Sequence, residues 1–303
     1  MTSPRHRRSP RRSAGVTLIE LAITIALVGI IGALMVQFVW PVRSYIDSSR
    51  RAALSDTADT ALRRIGRDLR LGLPNSVRVT TASGVSYLEL LLVRTGGRYR
   101  YDTDSAATNT CTGGYAEDVL NFAAADTCFK TLGNIPNIGQ VTIGAGPNDG
   151  DFLVVFNLQP GTASADAYEF SATGGNKSKL SAATAFAGED RIEFASNTFT
   201  YESPGHRFFI VEGPVSYICD PSAGTLTRRW GYAIEASQPT TSFTGGSSAL
   251  IATNVSGCSF TYDANVSAGA GLATLALTLS IQSSQGDSES VSLYHAVHVS
   301  NVP

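Results

Sequence analysis

The chain has 303 residues, 23 basic and 25 acidic side chains, four cysteines and four histidines, with 43% hydrophobic residues. Five of the arginines stand before residue 15; without them 18 basic residues face 25 acidic ones, a formal charge of −7. Such a balance is a poor footprint for non-specific nucleic-acid binding, and no nucleic-acid partner is expected.

Arg5, Arg7, Arg8, Arg11 and Arg12 open the chain, followed by the small-residue junction Ser13-Ala14-Gly15. Residues 16–40 then form an apolar run whose one charged side chain is Glu20. At about 1.5 Å per residue a helix of this length spans roughly 38 Å, enough to cross a hydrocarbon core of about 30 Å. In lipid the backbone must satisfy its own hydrogen bonds, so a single spanning segment is a helix. Gly29 and Gly32 suit close helix approach, as do the small residues Ala22, Ala26 and Ala33. Positive flanks stay cytoplasmic, which predicts an amino terminus inside and residues beyond Trp40 outside. An ordinary secretory signal has a shorter apolar region with its cleavage site after it. Here the junction comes first. An ionisable group within a membrane segment costs on the order of a few kcal/mol and marks function, so Glu20 stands out.

Pro41 is expected to kink or interrupt the helix at the membrane interface. Leu54, Ala58, Ala61, Leu62, Ile65 and Leu69 then recur at spacings of three and four, one apolar stripe that continues the helix over 41–71. Gly72 and Pro74 stop it. A helix from about residue 17 to 71 would be roughly 80 Å long.

From residue 77 the pattern is β. Expected strands are 77–81, 87–93, 98–101, 152–158, 207–217, 226–232, 259–262, 272–281 and 290–299, rich in Val, Thr, Tyr and Phe. Gly96-Gly97 reads as a two-residue hairpin turn, and residues 220–224 as a loop between two strands. Pro214 predicts an edge strand or a bulge. The small, polar stretch 163–187 reads as a loop. The fold class is α+β: a long membrane-spanning helix followed by one β-rich globular domain over 72–303.

Four cysteines in an exported segment favour disulfides. Of the three pairings, the sequential one, Cys111–Cys128 and Cys219–Cys258, is expected. No Cys-x-x-Cys spacing supports a metal.

No catalytic constellation is present, and neither an enzyme nor a cofactor is expected. His295 and His298, three apart, fall on opposite faces of a strand. Asp102, Asp104 and Asn109 lack the glycine and terminal glutamate of a calcium loop. Gly174-Gly175-Asn176-Lys177-Ser178 lacks the first glycine of a phosphate loop.

At Gly15-Val-Thr-Leu-Ile-Glu-Leu21 the chain resembles the type IV pilin and pseudopilin family. The resemblance implies that 1–15 is a basic leader removed by prepilin peptidase between Gly15 and Val16, and that Val16 is then N-methylated. It assigns Glu20 to pairing with the amine of a neighbouring subunit. Val16 replaces the usual Phe, and the leader is long. The strings at 207–219, 224–232, 258–263 and 295–303 are similar to those of O-type minor pilins of mannose-sensitive haemagglutinin (MSHA) pili. J-type minor pseudopilins of type II secretion are the alternative, and a tip adhesin is a further one. Expected partners are other major and minor pilins, the prepilin peptidase, the inner-membrane assembly platform and the membrane itself. The expected location is the inner membrane, single pass, with a periplasmic domain, and then the pilus.

Overall fold

The computed structural model describes residues 15–102, 111, 118–146, 149–169, 174–267, 269–282 and 288–303, with only the backbone for 38–44. Among the described residues one α-helix, α1 (Leu18–Arg70), precedes twelve strands. The chain divides into two compact units, Met1–Ala52 and Ala53–Pro303, so that α1 passes from the first into the second.

The helical assignment runs through Pro41 without interruption, so the expected break at this residue is not found. A proline removes one backbone donor, and the helical turns before and after it retain theirs. Basic Arg67 and Arg70 close the helix, where cations complement the carbonyl end of the dipole.

The strands are β1 (Arg78–Ala82), β2 (Val85–Arg98), β3 (Asp126–Lys130), β4 (Phe152–Val155), β5 (Lys177–Thr184), β6 (Arg191–Asn197), β7 (Arg207–Asp220), β8 (Thr225–Tyr232), β9 (Gly245–Thr253), β10 (Val255–Ser267), β11 (Ala270–Gln282) and β12 (Ser288–Ser300). Nine of them form one sheet in the order β1-β2-β7-β4-β5-β6-β3, with β8 on β7 and β9 on β8. The last three form an antiparallel sheet, β10-β11-β12.

The apolar stripe of α1 does what its periodicity requires. Leu54, Ala58, Ala61, Leu62, Ile65 and Leu69 are all buried, in one core with Leu88 and Leu90 of β2, Tyr217 of β7, and Leu275 and Leu277 of β11. Gly66 lies at the margin of this face. A Cβ there would come 3.2 Å from His295 Nε2 and 3.3 Å from Val297 Cγ2, so the absent side chain lets β12 approach the helix. A second core gathers Phe129, Phe194, Phe199 and Phe208.

Several expectations for the strands need correction. Gly96 and Gly97 are not a hairpin turn. They lie within β2, opposite Phe209 and Phe208 of β7. They are small for packing reasons: a Cβ on Gly96 would sit 2.7 Å from the Phe208 carbonyl oxygen, and one on Gly97 2.5 Å from Ile135 Cγ2. The expected strand at 98–101 is therefore the end of β2, with Tyr99 making an isolated bridge to Thr131. Pro214 is not on an edge strand, because β7 pairs with β2, β4 and β8. It falls between the last residue paired to β4, Val211, and the first paired to β8, Val215, where no ladder donor is required on that side. A bulge does lie two residues earlier, since Leu92 faces Gly213 and Val93 faces Val211, leaving Glu212 extra. The stretch read as a loop contains β5, which is held by β4 and β6 despite its polar composition. Strands β3, β6 and β9 were likewise not expected from sequence.

Candidate processing and assembly site at the amino-terminal helix

Gly15, Val16 and Thr17 precede the first helical residue. Thr17 is the cap. Its carbonyl oxygen accepts the Leu21 amide at 3.1 Å, and its Oγ1 accepts the Glu20 amide at 3.3 Å. A threonine followed three residues later by glutamate is the capping-box pattern, and Val16 and Leu21 occupy the positions of the hydrophobic staple. The carboxylate of Glu20 also falls in the first turn, where the helix dipole favours a negative charge. Glu20 thus offers its backbone amide to the cap as well as its charge to the segment, and the Thr-x-x-Glu spacing is the sequence signal for the cap.

The segment Leu18–Gln37 is long and apolar enough to cross a membrane, and none of it is buried. Leu18 is 87% exposed and Ile19 and Val16 each 70%. A run of bare apolar side chains of this extent needs lipid or other helices around it. Thr24, the next polar side chain, returns its hydroxyl to the Leu21 carbonyl at 2.9 Å and so exposes no unpaired donor. Positions 15, 29 and 32 have no atom within 4 Å of where a Cβ would stand. Among the described residues no cation meets the Glu20 carboxylate. Chemically, the segment offers a single anion in apolar surroundings, which calls for a cation from elsewhere.

The remaining sequence-derived site residues lie in the second unit. Cys111 is bonded to Cys128 and Cys219 to Cys258, with Cα separations of 5.8 and 6.5 Å. The second bond joins β7 of the nine-stranded sheet to β10 of the three-stranded one. Among the described residues no group of three or more histidines, cysteines or acids could hold a metal. The leader residues 1–14, Asp104 and Asn109 lie outside the described residues.

Sequence reasoning missed two buried charge clusters. In the first, the Tyr217 hydroxyl and Arg228 Nε both donate to Asp68 Oδ2 at 2.8 Å, tying the last turn of α1 to β7 and β8. Burial and the neighbouring carboxylate push the Tyr217 hydroxyl well above its ordinary value. In the second, Arg78 pairs with Glu89 across β1 and β2, Tyr232 donates to the other Glu89 oxygen at 2.6 Å, and the guanidinium lies 3.6 Å from the centre of the Tyr168 ring. Desolvation raises the Glu89 carboxyl in spite of Arg78. These partners stand far apart in sequence, and no local spacing announces them. Both clusters fasten elements together, and of the second cluster Tyr232 borders a cavity of about 250 Å³.

Residues 10–36 match the family described as the prokaryotic N-terminal methylation motif. No curated protein and no solved structure matches the chain at a significant level. The motif goes with structural subunits rather than enzymes. With that signal on a capped, exposed apolar helix and a strand-rich globular unit after it, the chain has the amino terminus and the α+β architecture of a type IV pilin-like or pseudopilin protein.

Proposed function

We propose that this protein is a minor pilin-like subunit that primes assembly of a type IV pilus of the MSHA type or caps its tip. Prepilin peptidase cuts between Gly15 and Val16 on the cytoplasmic face and the new Val16 amine is methylated. Residues 16–40 hold the subunit in the inner membrane, and residues 72–303 form its periplasmic domain. The observation that carries the reading is the methylation motif at the head of a membrane-length apolar segment, Leu18–Gln37, that has no buried side chain and Glu20 as its one carboxylate. A neighbouring subunit's amine satisfies that carboxylate, because two charges that are each costly in lipid become tolerable together. Other pilins, the peptidase and the assembly platform are the partners this requires.

Mass spectrometry of assembled filaments tests the processing step. The expected amino terminus is N-methyl-Val16, and retention of residues 1–15 overturns the proposal. Filament counts in a deletion strain test the role. Priming predicts few or no filaments; normal numbers of filaments that no longer attach would favour a tip adhesin instead. Loss of protein secretion with pili intact would favour a J-type pseudopilin.

A further inference from the structure

The three-stranded sheet ends on β12, which pairs with β11 alone. Its register runs from Ser288 opposite Gln282 to Ser300 opposite Ala270 without a shift. Just beyond it the Asn301 amide donates to the Gly269 carbonyl oxygen at 2.8 Å. In an antiparallel pair, residues that exchange both backbone bonds alternate with residues that exchange none. Asn301 therefore fixes the parity of the whole strand. Odd-numbered residues from Glu289 to Val299 bond to β11, and even-numbered ones from Ser288 to Ser300 turn their N–H and C=O groups to the other side. Among the described residues no strand pairs with that row.

The side chains follow the same parity. Every even-numbered side chain from Ser288 to Ser300 is exposed. The odd-numbered ones face the core under α1: Val297 and Val299 are buried, and Val291 and Leu293 are half-buried at its rim. Short length, bulges, prolines and charges are how sheet edges avoid pairing with other chains. The remaining edges use such devices. Strands β1 and β3 have five residues each, β9 opens on two left-handed glycines, Gly245 and Gly246, and β10 carries two register shifts. Strand β12 has thirteen residues, no shift, no proline and no lysine or arginine.

We infer that the free edge of β12 takes up an extended segment of a different polypeptide as an added antiparallel strand. Only a strand offers donors and acceptors at the spacing that the even-numbered residues present. Directly opposed residues point to the same face. The residues of the segment that bond to β12 therefore carry solvent-facing side chains, and the alternate ones add apolar side chains beside Val291 and Leu293. A second copy of β12 suits the edge less well. Two copies joined here, with α1 on the same face in both, are related by a two-fold axis perpendicular to the sheet. That axis turns one α1 end for end, whereas helices anchored in one membrane enter it from the same side. The exclusion of a second copy rests on the membrane reading of residues 16–40; the free row of backbone groups does not.

The probe is the blocked, fluorescein-labelled peptide Lys-Thr-Val-Thr-Val-Thr-Val-Lys, titrated by fluorescence anisotropy onto the full chain in neutral-lipid nanodiscs. It should bind saturably. N-methylation of its threonine amides, the ones turned to β12, should weaken binding about a hundredfold, as loss of several hydrogen bonds requires. N-methylation of its valine amides, turned away, should leave binding unchanged. Ala296→Pro removes one free N–H and none of the bonds to β11, so it should unfold like the parent and bind the peptide about tenfold more weakly. Ser290→Pro is the second variant, with the same expectation. Absence of saturable binding, equal effects of the two methylation patterns, or unchanged affinity in both proline variants overturns the assignment. A dimer of the full chain that either proline dissolves would place a second copy on the edge and overturn it as well. The peptide titration reads the edge and the mass of the filament subunit reads the processing, so either reading can fail without the other.

Discussion

Asp68 and Arg228 meet at 2.8 Å although 160 residues separate them, and the hydroxyl of Tyr217 donates to the same carboxylate oxygen. Asp68 sits in the last turn of α1, where the dipole alone would disfavour an acid. Its partners reverse that preference. Asp68→Ala should therefore destabilise the unit by about 3 kcal/mol or more, because it strands a partly buried guanidinium. Arg228→Ala made on top of it should cost much less than Arg228→Ala alone. A double-mutant cycle on chemical denaturation reads the coupling, and strict additivity would show that the pair holds nothing.

Glu89→Gln keeps the shape and the oxygen that Tyr232 addresses, and removes the charge opposite Arg78. Arg78 keeps its donations to the Ala236 and Glu235 carbonyl oxygens, at 2.7 and 2.8 Å, and its place over Tyr168. The expected loss is about 2 to 3 kcal/mol, at the low end for a broken buried pair. Thermal unfolding followed by circular dichroism measures it, and a gain in stability would mean that desolvation of Glu89 dominates the pairing.

Lys177 gives a pH dependence. Burial pushes its amine down to about 8 from 10.5, with Asp166 partly opposing the shift. A cation with a depressed folded-state pKa releases its proton more readily in the folded protein. Between those two values the unfolded chain binds more protons, so the burial penalty on this group is relieved as pH rises from about 8 towards 10.5 and stands in full below about 8. The melting temperature of the parent minus that of Lys177→Met should thus rise between about pH 8 and about pH 10, inside the window set by the folded and unfolded values. A flat difference would show that the amine is solvated.

Thr17→Val removes the hydroxyl that caps the Glu20 amide while keeping size and branching. The expected cost is about 1 kcal/mol of helix stability. It should appear as faster hydrogen exchange at the Ile19 to Leu21 amides, with the later turns unchanged.

Loss of the Cys219–Cys258 bond should cost about 4 kcal/mol, against about 3 kcal/mol for Cys111–Cys128, because the closed loops span 39 and 17 residues. Denaturation of the two double-serine variants separates them. The reverse order would place the stabilisation outside chain entropy.

What was legible in the sequence follows from how local each signal is. The helix could be read nearly to its ends, since the stripe from Leu54 to Leu69 repeats within one element and Gly72 and Pro74 stop it. Strand β11, where Leu275, Leu277, Leu279 and Ile281 alternate with Ala276, Thr278 and Ser280, and β7, which opens on the apolar run Phe208-Phe209-Ile210-Val211, could be read as well. Strand β5, Lys-Ser-Lys-Leu-Ser-Ala-Ala-Thr, could not, because it owes its form to β4 and β6 on either side. Gly96 and Gly97 misled because a glycine pair signals a turn locally and close packing only in three dimensions. At the amino terminus the motif itself was legible, and the double role of Glu20, side chain for charge and amide for Thr17, was contained in the spacing. The charge pairs of the second unit were not, since Asp68 and Arg228 carry no mark of each other.

The bridge between β7 and β10 has a mechanical consequence. A subunit anchored by its amino-terminal helix is loaded along the chain when the anchor is pulled. Cys219–Cys258 short-circuits that path, keeping a 39-residue span out of it and withholding roughly 130 Å of slack. Under tension the two sheets can come apart from each other only as far as two sulfur atoms allow, and reduction would lengthen the tether without cutting it.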